Sequence, residues 1–168
     1  AFDAAGDLIA ASNRGVVRVD FATGAVTQIR GGGFDGNVQT IAVAPDGAIL
    51  LGTSGNHVDL WSIDPTTGVS TMIRSRIDCV LSCVNADLEG VGIAADGSAI
   101  VALRGYFAGN PGALLSVDRT TGAATIVAEG GLLDSPGQVV VDRDGSWLVA
   151  DYDAKAILRV DPASGAQS

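Results

Sequence analysis

The sequence predicts an all-β chain built from four copies of one four-stranded unit, the blades of a β-propeller, and three observations carry that prediction. A pentapeptide with Asp first, Gly last and a hydroxyl before the Gly recurs at 20–24 (DFATG), 64–68 (DPTTG), 118–122 (DRTTG) and 161–165 (DPASG). Its closing glycines are 44, 54 and 43 residues apart, which matches the roughly 40–50 residues of a four-stranded blade. A second tight turn precedes each copy, at 3–6 (DAAG), 44–47 (APDG), 94–97 (AADG) and 142–145 (DRDG), with strand-length apolar stretches between the turns. No stretch shows helical periodicity.

The strands fall into order between these punctuation marks. Strand A precedes the first turn (QTIAVAPDG, EGVGIAADG, QVVVDRDG), and strand B comes after it (AILLGT, SAIVAL, SWLVAD). Strand C runs into the pentapeptide (VDLWSIDPTTG, ALLSVDRTTG, AILRVDPASG), and strand D leaves it (AVTQIR, VSTMIR, AATIVA). Val, Ile, Leu and Trp in B and C suit strands buried on both faces. The blades are expected at about 1–30, 38–74, 88–128 and 137–168. The first retains only the end of strand A and the last stops where strand D should begin. Four visible blades are therefore expected to belong to a larger, six- to eight-bladed ring, completed by further blades of the same chain or of another copy.

The pentapeptide reads as a joint between C and D. Its Asp can accept backbone N–H groups of the turn, Pro presets φ, and Gly takes the positive φ that bulkier residues resist. Phe21 and Arg119 occupy the Pro slot in blades 1 and 3 while the Asp and Gly stay, a tolerance that suits a turn better than a ligand site.

At 168 residues the chain amounts to one ordinary domain. A net charge of −9 repels nucleic-acid phosphates and offers no polybasic patch to lipid. The apolar runs, such as AIVAL at 99–103, fall short of a membrane-spanning helix. The chain opens at Ala1 with no initiator Met or basic leader, so it is expected to be a mature form or a fragment. Cys79 and Cys83 are expected to close a small disulfide loop, with a pair of free thiols as the second reading and a redox or metal role as the third. A disulfide would imply an extracellular or periplasmic location.

The last unit, SPGQVVVDRDGSWLVADYDAKAILRVDPASG at 135–165, resembles the NHL repeat, and the whole array is similar to the superfamily of NHL propellers, virginiamycin B lyase and the gluconolactonase group. The resemblance implies a propeller and leaves the activity open, because one fold hosts many functions. It also implies metal ligands at Glu89 in LEGVGIAADG and Asp151 in LVADYD, where Ca²⁺ or Zn²⁺ would polarise a carbonyl and activate water. The Asn that the pattern places near 136–138 is replaced by PGQ. No cofactor is therefore expected on the main reading, and calcium or zinc on the alternative.

Function is expected on the face that carries the B-to-C loops and the D-to-A crossovers, because the length variation falls there, at 75–90 and 104–113. Asn37, Gln39, Asp87, Glu89, Ser135 and Gly137, at the mouths of strands A, are expected to point at the central channel. His57, the single histidine, lies on a B-to-C loop as a conceivable lyase-type base. Arg104, Tyr106, Phe107 and Tyr152 form a candidate partner-binding patch, aromatics and Arg being the residue types that dominate interface energetics. Phe107 alternatively plugs its loop onto the blade. The sequence shows no G-x-S-x-G, H-E-x-x-H or phosphate-cradling loop. The main expectation is thus a non-catalytic secreted propeller that binds a protein, a glycan or another copy through this face. The alternative is a metal-dependent lactonase or esterase-type hydrolase, or a lyase, at the mouth of the channel.

Overall fold

The computed structural model describes residues 1–55, 57–81, 86–105 and 111–168. Among the described residues, fourteen strands form four antiparallel sheets, each a meander in chain order. Blade 1 holds β1 (Leu8–Ser12), β2 (Gly15–Val19) and β3 (Val26–Gly31), and blade 2 holds β4 (Asn37–Val43), β5 (Ile49–Ser54), β6 (Asp59–Ile63) and β7 (Ser70–Arg74). Blade 3 holds β8 (Ala86–Ile93), β9 (Ala99–Gly105), β10 (Ala113–Val117) and β11 (Ala124–Glu129), and blade 4 holds β12 (Pro136–Val141), β13 (Trp147–Asp151) and β14 (Ala156–Val160). The fourth strand of each terminal blade is reduced to an isolated bridge, Phe2 to Leu8 and Val160 to Gln167. No described helix is long and apolar enough to cross a membrane.

The joints repeat almost atom for atom. Asp64 Oδ1 accepts the N–H groups of Thr66 and Thr67, both at 2.8 Å, and the Thr67 hydroxyl accepts the N–H of Val69 at 3.3 Å. Asp20, Asp118 and Asp161 do the same in their blades. This accounts for the recurring hydroxyl as well as the Asp. Gly68 closes the turn at φ 70°, and a Cβ there would also collide with the Ile29 carbonyl of the preceding blade. The glycine is thus required twice, by backbone conformation and by blade packing.

Three apolar cores lie between the blades. Ile9 and Val16 pack against Ile49, Leu51 and Ile63 at the first seam. Leu50 and Leu60 meet Leu88, Val101 and Leu115 at the second, and Ile100 and Leu114 meet Trp147, Val149 and Leu158 at the third. One short element departs from the strand-only expectation. Ile77–Leu81 forms a single 3-10 turn inside the 75–90 insertion, too brief to leave a periodicity in sequence. Its Ile77 is fully buried in the second core and donates its N–H to the Val58 carbonyl at 2.8 Å.

Candidate functional site

The first strands of blades 2, 3 and 4, β4, β8 and β12, lie side by side along the inner edge of the sheets, and each is interrupted by a bulge or register shift, between Val38 and Thr40, Leu88 and Gly90, and Pro136 and Val139. A bulge adds an unpaired residue and re-aims its side chain, a device that recurs beside active sites. Here the added residues are Gln39 in blade 2 and Glu89 in blade 3.

The free edge of β8 is tied to both neighbours by side chains. The Thr40 hydroxyl accepts the Val91 N–H at 3.2 Å, and Gln138 Nε2 donates to the Val91 carbonyl at 3.1 Å. Thr40 and Gln138 also meet each other, Thr40 Oγ1 donating to Gln138 Oε1 at 3.3 Å. These contacts stand in for the missing strand partner of an inner edge. They also fix the backbone two residues beyond Glu89.

A second regularity governs the ends of the B strands. In blade 1, Asn13 Oδ1 accepts the N–H of Val38 in the next blade at 2.8 Å. In blade 2, Ser54 Oγ accepts the N–H of Leu88, the equivalent position one blade on, at 2.8 Å. The third seam breaks the rule at both partners. Pro136 stands where Val38 and Leu88 stand and has no N–H, and Arg104 stands where Asn13 and Ser54 stand and has no acceptor. Arg104 instead turns to its own blade. Its Nη2 lies 3.1 Å from Glu89 Oε1 and 3.6 Å from Asp87 Oδ2. Asp87 faces Arg104 directly across the β8–β9 ladder and is 8 % exposed. The result is a guanidinium held between two carboxylates at the end of the β8–β9 pair.

The structure distributes the residues singled out in sequence unevenly. Glu89, Asp87 and Arg104 come together, while Asn37 hydrogen-bonds Asn13 at 2.9 Å and Gln39 is exposed. Ser135 is buried, with its N–H on Asp151, so it does not line a channel. Tyr152 is 80 % exposed, and His57 is half-buried on the β5–β6 connection. Tyr106 and Phe107 lie outside the described residues, as does Cys83, so the aromatic part of the patch and the Cys79–Cys83 pairing remain expectations.

Asp151 holds a different post from the metal ligand that the resemblance implied. Its Oδ1 accepts the N–H groups of Ser135 and Ala154 at 3.1 and 3.0 Å, and its Oδ2 those of Asp134 and Ser135 at 2.9 and 3.0 Å. Three backbone N–H groups, that of Ser135 shared between both oxygens, thus converge on this carboxylate, which anchors the crossover before β12 and the loop after β13. Glu89 faces a guanidinium, which competes with a cation for its oxygens. No group of three or more His, Cys, Asp or Glu side chains that could hold a metal ion occurs among the described residues. Glu89 and Asp151 therefore do not fit a shared dication.

No family model matches the sequence and no curated protein does. Among solved structures, the chain is similar to regucalcin from Agrobacterium tumefaciens, described as a calcium-binding protein, at 19 % identity and a TM-score of 0.71, covering 100 % of this chain and 57 % of that one. Virginiamycin B lyase from Staphylococcus aureus is 12 % identical with a TM-score of 0.71, over 100 % of this chain and 53 % of that one. A gluconolactonase from Xanthomonas campestris is 15 % identical with a TM-score of 0.70, over 99 % and 58 %. The chain thus spans between half and two thirds of these neighbours' length.

These neighbours overturn the expectation of a non-catalytic binding module. Absent hydrolase motifs carry no weight on a scaffold whose neighbours are named as a lactonase and a lyase, and the alternative reading is the better supported one. At these identities the likeness speaks for fold alone, and at that level the chain is a β-propeller of the kind found in regucalcin, virginiamycin B lyase and gluconolactonase.

Proposed function

We propose that the chain carries the site of a lactonase-type hydrolase at the mouth of the channel, with Glu89 as general base and Arg104 as the partner of the developing oxyanion. The observation that supports it is the broken third seam, where Pro136 removes the donor and Arg104 the acceptor of a bond made at the other two. A folding contact has been exchanged for a cation flanked by Glu89 and Asp87.

The chemistry requires little more than these groups. Glu89 takes a proton from a water molecule as its oxygen bonds to the ring carbonyl carbon. The carbonyl electron pair moves onto oxygen, and the guanidinium donates N–H groups to the resulting oxyanion. Collapse re-forms the carbonyl and breaks the ring C–O bond, and the departing alkoxide recovers the proton from Glu89. Asp87, buried on the other side of the guanidinium, keeps its fork oriented. No step passes through a metal ion.

The test is hydrolysis of five- and six-membered aliphatic lactones monitored with a pH indicator, after dialysis against chelator and again with Ca²⁺ or Zn²⁺ added. The expected result is a rate above buffer without added metal, which falls by roughly 10²-fold or more in Glu89→Gln and in Arg104→Ala, with partial recovery in Arg104→Lys. A wild-type rate equal to buffer under all three conditions, or an unchanged rate in Glu89→Gln, sinks the proposal.

A further inference from the structure

An Asp-Gly pair is prone to intramolecular ring closure, because glycine has no side chain to hinder attack of its nitrogen on the preceding aspartyl carboxyl. The chain contains four such pairs, at 35–36, 46–47, 96–97 and 144–145. Three are the A-to-B turns of blades 2, 3 and 4, and the other lies in the crossover between β3 and β4. The fold treats these two settings differently at both reacting groups.

In the three turns the nucleophile and the carboxyl are both occupied. The nitrogens of Gly47, Gly97 and Gly145 donate to the carbonyls of Ala44, Ala94 and Asp142 at 2.8, 2.9 and 3.0 Å. The carboxyls of Asp46, Asp96 and Asp144 accept the N–H groups of Ala48, Ser98 and Ser146 at 3.1, 2.9 and 2.9 Å. Arg119 pairs with Asp46 at 2.7 Å and Arg159 with Asp144 at 2.8 Å, while the Ser98 hydroxyl donates to Asp96 at 2.7 Å. Held below their ordinary value chiefly by the side chains of Arg119, Ser98 and Ser146, these carboxyls stay ionised, the form from which water departs poorly. Asp35 is exposed, and among the described residues neither its carboxyl nor the Gly36 nitrogen has a hydrogen-bond partner.

We propose that Asp35–Gly36 is a self-modification site, where the folded chain converts aspartate to isoaspartate through a cyclic imide. The Gly36 nitrogen attacks Asp35 Cγ, a C–N bond forms, and the carboxyl OH leaves with the amide proton as water. Water then adds to a ring carbonyl. Addition at the former main-chain carbonyl breaks its bond to the Gly36 nitrogen, so the chain now runs through the Asp35 β-carbon with no net gain or loss of atoms. The added backbone methylene falls between two anchored neighbours. Phe34 stacks edge-on against Trp61, and a Cβ on Gly36 would already collide with the Ser54 carbonyl. Ser54 itself accepts the Leu88 N–H across one seam, and Val38, two residues after Gly36, donates to Asn13 across another. Modification of this crossover therefore loosens both seams from one position, and it does so whatever reaction the molecule catalyses.

The test is ageing of the chain at mildly acidic pH, folded in buffer and unfolded in guanidinium, followed by trypsin digestion and electron-transfer fragmentation, which separates isoaspartate from aspartate. Asp35 and Asp46 fall in one tryptic peptide, 31–74, so the turn pair is an internal control for the crossover pair. In the unfolded chain all four pairs should convert at similar rates. In the folded chain the three turn pairs should slow by roughly tenfold or more, since a hydrogen bond must be given up at each reacting group. Asp35 should stay close to its unfolded rate. Asp35→Glu, which can close only a larger and slower-forming ring, should lose the signal at this position, and ageing should lower the melting temperature of the wild type more than that of this variant. A folded chain in which Asp35 is protected as strongly as the turns, or in which a turn pair converts first, overturns the proposal. Conversion at Asp35 that leaves wild type and variant melting alike overturns its effect on the seams.

Discussion

Asp64 and Ser54 show two kinds of polar residue, one legible in sequence and one not. The joint Asp acts within five residues, so its pattern repeats along the chain and its role as a turn acceptor can be read from spacing alone. Ser54 acts across a seam on a residue 34 positions away, and only alignment of blade 1 on blade 2 reveals that Asn13 does the same. The same alignment would have shown Arg104 opposite Pro136, a sequence signal for the proposed site. A stability comparison separates the two roles. Ser54→Ala leaves the buried Leu88 N–H without an acceptor and should cost about 1–3 kcal/mol. Arg104→Ala removes the ion pairs to Glu89 and Asp87, which are partly exposed and should be worth under about 1 kcal/mol. Urea midpoints measure both, and an Arg104→Ala loss as large as that of Ser54→Ala would assign Arg104 to the scaffold instead of the site.

Strand identity was readable from the four-fold repetition, but the path of the innermost strands was not. Simple alternation assigns residues 87, 89, 135 and 137 to the channel, and the register shifts in β4, β8 and β12 break that alternation partway along each strand. Ser135, just before β12, is buried with its N–H on Asp151, and Glu89, the bulged residue of β8, is presented beside Arg104. By propensity alone, Gly90 and Gly92 of β8 are weak strand residues. In the structure they are the closest approach of two inner strands, since a Cβ on Gly90 would collide with the Gly137 carbonyl and one on Gly92 would press on that of Val139. Gly90→Ala must therefore push β8 and β12 apart and should cost at least the 1–3 kcal/mol typical of overpacking, roughly stated. Gly97→Ala, at φ 86° with open space around it, meets only backbone strain and should cost about 1 kcal/mol. Thermal unfolding of the two variants distinguishes them. Equal losses would mean that the inner strands are less tightly apposed than their backbones indicate.

At the scale of the whole molecule the same acidic turns recur in blade after blade and make its stability depend on pH in one direction. The four blades were legible because each carries the same two turns. The carboxyls of Asp20, Asp64 and Asp118 are held below their ordinary value chiefly by backbone N–H groups of Thr23, Thr67 and Thr121. Asp46 and Asp142 are lowered chiefly by the side-chain hydrogen bonds of Arg119 and Arg159, and Asp96 and Asp144 by those of Ser98 and Ser146. A folded-state value below the unfolded one means that the folded chain binds fewer protons, so these groups contribute stability that is fully present above the unfolded value of 3.8. That stability is lost as pH falls through the folded values. The net charge of −9 works in the opposite sense, since protonation relieves self-repulsion. Repulsion between exposed charges is screened beyond about 8 Å at physiological salt, whereas the turn hydrogen bonds are local, so the turns should prevail. The melting temperature should stay flat from pH 7 to about 5 and fall steeply below about 4. Asp118→Asn should melt lower than the wild type at pH 7 and converge on it near pH 3, because the wild type has by then lost the same carboxylate. A melting temperature that holds or rises to pH 3, or a constant gap between the two proteins across the range, would show that the joints do not control the acid limit.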